Sequence, residues 1–206
     1  MLIEETVKGH DIKLDTGNYY FSPSGIDKGT AFMLSNVSVS PDDKVLDLGC
    51  GYGIVGICLY MEGCRDIVMC DISDEATALS SANLILNNIE GVRVFQSDGL
   101  KEIPDDDFTL ILSNPPYHTD FSVAKEFIED GFKKLRIGGR MIMVTKRLDW
   151  YKNKLSSVFG GVKIIQQDGY YVFISEKRSD RFAPKKKKDK NNLSRKLQRK
   201  QRRTDR

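Results

Sequence analysis

Three glycines at alternate positions, Gly49, Gly51 and Gly53, follow the apolar residues Val45, Leu46 and Leu48 and precede Ile54, Val55, Ile57 and Leu59. A residue without a Cβ reaches backbone conformations closed to others and lets a ligand approach the main chain. The stretch 44–56 therefore reads as a buried strand, a tight turn and a helix. Backbone N–H groups at such a helix start carry partial positive charge, which favours a polar or anionic ligand group.

Two nucleoside-binding turns fit these residues. Gly51 to Gly56 satisfies G-x-G-x-x-G, and Asp71 follows about twenty residues later at the end of the next apolar run, as in a dinucleotide site. Asp47 to Gly53 also reads Asp-x-Gly-x-Gly-x-Gly, with a carboxylate inside the strand. The turn alone leaves both open.

The rest of the chain alternates strands and helices. A helix is expected from about Asp27 to Asn36, with Ala31, Phe32, Leu34 and Val37 inward. Strands follow at Lys44, at 67–72, at 92–97 and at 108–113. Ser73 is placed to cap a helix over 74–88, with Ala78, Leu79, Ala82, Leu86 and Ile89 as its core face. An amphipathic helix over 123–135 is expected to stop at Ile137-Gly138-Gly139. Then come a strand over 140–145, a helix over 148–159 and two strands, 162–166 and 170–175, around a turn at Gln167-Asp168-Gly169. Such alternation implies parallel strands covered on both faces, with ligands gathering beyond their carboxyl ends. Asp71, Asp98 and Asn114 all fall at such ends.

Charge divides the chain. Residues 177–206 hold fifteen Lys or Arg against three acids, net +12, leaving −9 on the other 176. So basic a run cannot bury enough apolar surface to fold alone, and it suits an anionic partner. The reading is a cover segment over 1–40, a core over 41–176 and a disordered tail over 177–206. No apolar run approaches the roughly 20 residues of a membrane span, and the acidic, mixed start does not resemble a secretory signal. A cytoplasmic protein is expected. Cys50, Cys58, Cys64 and Cys70 form no C-x-x-C pair and read as reduced, buried thiols, with no metal expected.

The most specific signal follows the 108–113 strand: Ser113-Asn114-Pro115-Pro116-Tyr117-His118. Two prolines fix their own φ and hold the preceding residues extended. The Asn114 side-chain oxygen and the Pro115 carbonyl are thereby presented as two acceptors for the hydrogens of a planar amine. They would draw its lone pair out of conjugation and stabilise the positive charge that develops on it. Tyr117 offers a flat face for a heterocycle. A nicotinamide site has no use for paired acceptors here.

This signature, with Phe21-Ser22 and Asp27-Lys28-Gly29-Thr30 upstream and the closing region from Phe159-Gly160 to Tyr171, resembles the small-domain family of class I S-adenosylmethionine (SAM) methyltransferases. The similarity spans about residues 15–176, and the best-known members of that family are ribosomal RNA guanine-N2 enzymes. It implies an α/β Rossmann-like fold whose seven-stranded, mostly parallel sheet has one antiparallel strand and helices on both faces. It further implies SAM as cofactor, RNA as partner and transfer to an exocyclic base amine. Asn114, Pro115, Pro116 and Tyr117 would be catalytic. Thr30, Asp47, Gly49, Cys50, Gly51, Tyr52, Gly53, Asp71, Ile72, Asp98, Gly99 and Asn114 would line the cofactor, and Phe21, Tyr117 and His118 the substrate. Asp71 would take the ribose hydroxyls, and Asp98 would lie near the adenine amine. Tyr117 stands where the ribosomal enzymes usually have Phe, while His118 favours guanine over adenine. Adenine-N6 methylation of RNA and glutamine-amide methylation of protein are the alternatives.

Overall fold

The computed structural model describes residues 1–17, 26–116 and 121–182. A hairpin opens the chain, β1 (Leu2–Val7) and β2 (His10–Asp15), followed by α1 (Lys28–Ser35). The core then runs β3 (Lys44–Leu48), α2 (Ile54–Met61), β4 (Asp66–Asp71), α3 (Asp74–Leu86), β5 (Arg93–Gln96) and β6 (Phe108–Ser113). It closes with α4 (Phe121–Lys134), β7 (Leu135–Thr145), α5 (Leu148–Phe159), β8 (Lys163–Gln167) and β9 (Tyr170–Glu176).

Seven strands form one sheet in the order β5-β4-β3-β6-β7-β9-β8. Only β9 is reversed, antiparallel to both β7 and β8. The expected sheet is therefore the one observed. Chain order switches direction at β3, whose neighbours are β4 and β6, and the carboxyl ends at such a switch point are where open α/β sheets bind ligands.

Alternate residues of each strand feed opposite cores. Val45, Met69, Leu110, Leu112 and Val144 pack with α1, α2 and the hairpin. Leu46, Val68, Ile111, Met143 and Phe173 pack with α4 and α5 through Ile128, Phe132, Leu155 and Phe159. Completely buried strands such as β6 are what parallel pairing between two helical layers requires.

The 1–40 segment carries a hairpin that the sequence does not announce, whose Ile12 and Leu14 are fully buried. Two expectations are corrected. The inner face of α3 is not Ala78, Ala82 and Leu86, which are exposed, but Ala76, Thr77, Ser80, Asn83 and Leu84. Its polar residues bond across to neighbouring main chain. Asn83 takes the Asp15 N–H at 2.7 Å and donates to the carbonyls of Asp15 and Tyr52, both at 2.8 Å. Finally, Ile137-Gly138-Gly139 does not stop a helix. It lies inside β7, in a register shift where Gly138 N–H bonds the Lys177 carbonyl and Lys177 N–H bonds that of Gly139, each at 2.8 Å.

Those last bonds tie Lys177 to the sheet. Charge counting groups this residue with the tail, whereas its side chain is buried and its Nζ donates to the Leu135 carbonyl at 2.6 Å. Phe182 still touches the core, edge-on to Phe132.

Candidate functional site

The glycine turn leaves β3 and enters α2 with Gly49, Gly51 and Gly53 all at positive φ, 77°, 55° and 91°. The left-handed backbone explains the glycines at once. Gly53 has a second reason, since a Cβ there would meet the Met69 side chain at 2.9 Å and the Ser80 main chain at 3.3 Å. The turn is pinned to β4 by the N–H groups of Gly49 and Cys50, which share the Cys70 carbonyl at 2.8 and 2.9 Å.

Two carboxylates complete it. Asp47, only 2 % exposed, accepts the Gly56 N–H in the first turn of α2 at 3.1 Å. A strand-borne acid thus satisfies one of the donors that a helix start leaves open, and it offsets the positive end of the dipole. Burial pushes the Asp47 carboxyl up to about 7, against the lowering effect of that bond and with the nearby Asp71 charge adding to the rise. Asp71, at the end of β4, accepts the Gly51 N–H at 3.0 Å. Next to it Ile72 is 66 % exposed, an apolar surface at the mouth of the turn.

The other expected cofactor residues differ in what they can offer. Cys50 and Tyr52 are buried, and burial drives the Cys50 thiol well up and the Tyr52 hydroxyl to about 12, while Cys50 Sγ reaches Ser80 Oγ at 3.4 Å and the Gly51 carbonyl at 3.9 Å. Asp98 lies beyond β5, where its carboxylate pairs with Lys101 and its N–H bonds Glu102. Gly99 approaches the ring of Phe127 from α4, and Gly49 approaches the same ring from the turn. The sequence assigns Phe127 only to an amphipathic face, yet it stands between two site glycines. All four cysteines are buried, free thiols, with the Cys70 thiol raised by burial to about 12. Among the described residues, no group of side chains could hold a metal ion.

Asn114 begins the turn after β6, beside β3. Its Nδ2 donates to Asp27 Oδ1 and to Thr30 Oγ1, both at 2.9 Å. Asp27 is also the cap of α1, accepting the Thr30 N–H at 2.9 Å. The structure therefore brings Thr30 to the catalytic asparagine candidate, and adds Asp27, which the sequence marks as a helix start and as part of the family resemblance but not as a site residue. Pro115 is buried and Pro116 is exposed. Phe21, Tyr117 and His118 lie outside the described residues.

Comparison with known proteins bears on this arrangement. The family model described as "Methyltransferase small domain" matches residues 11–175. A Cronobacter sakazakii protein named ribosomal RNA small subunit methyltransferase C is 34% identical over 78% of this chain and 48% of its own length. Its Shewanella amazonensis namesake is 35% identical over 77% of this chain and 47% of its own. The chain thus spans about half the length of these curated relatives. A Thermus thermophilus 16S rRNA guanine-N2 methyltransferase, solved with AdoMet and guanosine, superposes with TM-score 0.78 at 23% identity, covering 86% of this chain and 50% of that one. A Pyrococcus furiosus methyltransferase superposes with TM-score 0.64 at 19% identity, over 82% of this chain and 90% of that one. These two likenesses establish the class I fold.

Proposed function

Because the chain belongs to the methyltransferase small domain family, we propose that it transfers the methyl group of SAM to an exocyclic base amine in RNA, guanine N2 of ribosomal RNA. The observation that carries this reading is the Asn114 amide, held by two bonds at the end of β6 beside the glycine turn at the end of β3. The ribosomal RNA methyltransferases among its relatives support the choice of ribosomal RNA, and the Thermus thermophilus guanine-N2 enzyme supports the choice of base.

In this reading the 47–53 turn cradles the methionine part of SAM. Asp71 accepts from the ribose hydroxyls, a pair of charge-assisted bonds suited to a diol. Ile72 and Phe127 supply apolar surface for adenine, with Asp98 and Gly99 at its edge. Asn114 Oδ1 and the Pro115 carbonyl each accept one hydrogen of the substrate amine, and Tyr117, His118 and Phe21 bound the base. The amine nitrogen attacks the methyl carbon in line, the carbon–sulfur bond breaks to leave S-adenosylhomocysteine, and the surplus proton on nitrogen passes to water. Such a displacement depends on proximity and alignment and requires no strong general base. The basic run after Phe182 gives an acidic body its hold on a phosphate backbone. The cytoplasm, where ribosomal RNA is met, is the compartment we assign.

Radiolabelled SAM with ribosomal RNA from cells lacking the gene tests the reading. Label in N2-methylguanosine is expected. Label in N6-methyladenosine would correct the base, and label only in protein would overturn the substrate class.

A further inference from the structure

The Asn114 side chain can do its proposed work only if its oxygen, and not its nitrogen, faces the substrate amine. An asparagine amide is nearly symmetric in shape, and rotation by half a turn about its last bond exchanges an acceptor for a donor pair. A donor pair aimed at an amine would repel its hydrogens. Something must set the rotation.

We infer that Asp27 and Thr30 are positioning residues for Asn114, fixing which end of its amide faces the reacting amine. This rests on the methyl-transfer reading above. Both atoms that meet Nδ2 at 2.9 Å are acceptors, the Asp27 carboxylate oxygen and the Thr30 hydroxyl oxygen. A carboxylate only accepts, so an Asn114 flipped to bring Oδ1 toward Asp27 would set oxygen against oxygen. The Thr30 hydroxyl is itself committed in this sense, lying 3.4 Å from the same Asp27 oxygen as its donor. The planar amide then carries Oδ1 to the opposite side.

The negative charge of Asp27 adds a second effect. A hydrogen bond donated to an anion polarises the amide and strengthens its oxygen as an acceptor. The developing positive charge on the substrate nitrogen is thus felt through Asn114 by a carboxylate that never touches it. Asp27 is anchored for this by its cap bond to the Thr30 N–H. Thr30, at 6 % exposure, sits in the first turn of the same helix, so α1 delivers both acceptors as one rigid unit.

Three substitutions separate positioning from mere support. Thr30→Val keeps shape and loses the acceptor, and Thr30→Ser restores the hydroxyl. Asp27→Ser keeps a good helix cap but is too short to reach Asn114. In single-turnover methyl transfer at saturating SAM, Thr30→Val and Asp27→Ser are expected to lower the rate on the order of tenfold or more. Thr30→Ser should stay within about twofold of the parent, and the SAM dissociation constant should move less than about threefold in all three, because a group that acts on the transition state alone leaves ground-state binding in place. Unchanged rates for Thr30→Val and Asp27→Ser would overturn the inference. So would a loss confined to SAM affinity, which would make Thr30 a cofactor residue only. A readout free of substrate is the side-chain amide resonance pair of Asn114, identified by its disappearance in Asn114→Ala. It should shift in Thr30→Val and in Asp27→Ser, and an unmoved pair would overturn the positioning role. If the parent protein methylates no RNA at all, the functional reading fails while the resonances still decide whether Asp27 and Thr30 hold the amide.

Discussion

Asp71 Oδ2 accepts the Gly51 backbone N–H at 3.0 Å, tying the end of β4 to the middle of the glycine turn. Its other oxygen accepts the Ser73 N–H, also at 3.0 Å, at the cap of α3. The acid thus shapes the turn that it is proposed to share with the ribose. A carboxylate has about four acceptor sites, which leaves capacity for a diol.

Asp71→Ala should therefore act twice. SAM affinity should fall by about 1.5 to 3 kcal/mol, the scale of hydrogen bonds to a charged group, and the apo protein should melt earlier because Gly51 loses its partner. Asp71→Asn, which keeps one acceptor, should fall between the two. Calorimetric titration with SAM checks this, and an unchanged affinity in the alanine variant would leave Asp71 with a structural role alone.

Asp47 carries a pH dependence whose sign can be worked out. Its carboxyl titrates near 3.8 when unfolded and near 7 when buried, so below 3.8 both states hold the proton and the group costs nothing. Between these values the folded state is progressively penalised, and above about 7 the penalty levels off at no more than roughly 4 kcal/mol. Asp47→Asn retains an acceptor for Gly56 and removes the charge. Without SAM, its stability advantage over the parent should be small at pH 4 and should grow to pH 8. Urea denaturation of both proteins across this range measures the gap, and a gap independent of pH would contradict a raised carboxyl.

Asn114→Ala should separate binding from chemistry. SAM affinity should be largely kept while turnover falls on the order of a hundredfold or more, as when one preorganised group at a transition state is removed. Stopped-flow or quench measurements at saturating SAM decide it, and normal turnover would remove Asn114 from the mechanism.

How much of this was legible in the sequence depended on the distance over which each signal acts. The Ser73 cap, β6 and α5 are written in local pattern, and the structure has them where periodicity and capping put them. The opening hairpin was not legible because its turn is Lys8-Gly9, both at positive φ, where an Asn or Gly in place of Lys8 would have announced it. Lys8 tolerates that conformation while its Nζ reaches the Val37 carbonyl at 2.8 Å and Glu62 at 2.6 Å. The inner face of α3 misled because an apolar count cannot see Asn83 bonding Asp15 and Tyr52. At the site, the glycine turn and Asn114 stood out as motifs. The Asp27–Asn114 contact joins two segments distant in sequence, and only the packing of α1 against the sheet reveals it.

Lys177 is the hinge between body and tail, and its loss should be felt as instability. Its Nζ bonds the Leu135 carbonyl at 2.6 Å where α4 meets β7, and lies 5.2 Å from the centre of the Phe132 ring. Lys177→Met keeps the apolar stem but removes the charged donor to that buried carbonyl, at a cost of about 1 to 3 kcal/mol. Chemical denaturation tests this, with SAM affinity as a control expected to stay level. A neutral effect on stability would make the buried contact incidental.

Beyond that anchor the chain turns strongly basic. The 24 residues after Phe182 hold twelve Lys or Arg and two acids. The body ahead of them is acidic and should repel a phosphate backbone unless this run reverses the sign locally. Each cation that neutralises a phosphate releases a condensed counterion, so binding through the tail should weaken with salt at a log–log slope of about −0.7 per contact on single strands. Because Lys177 and Phe182 still pack on the core, the informative truncation removes 183–206 and leaves them in place. That truncation should preserve the fold and SAM affinity, weaken RNA binding, flatten its salt dependence and leave the methylated nucleotide unchanged, since the pocket and not the tail selects the base. A purely solubilising extension predicts lower solubility at equal RNA affinity. Fluorescence anisotropy of both proteins at several salt concentrations distinguishes these outcomes, and matching slopes would sink the tail as an RNA-binding arm.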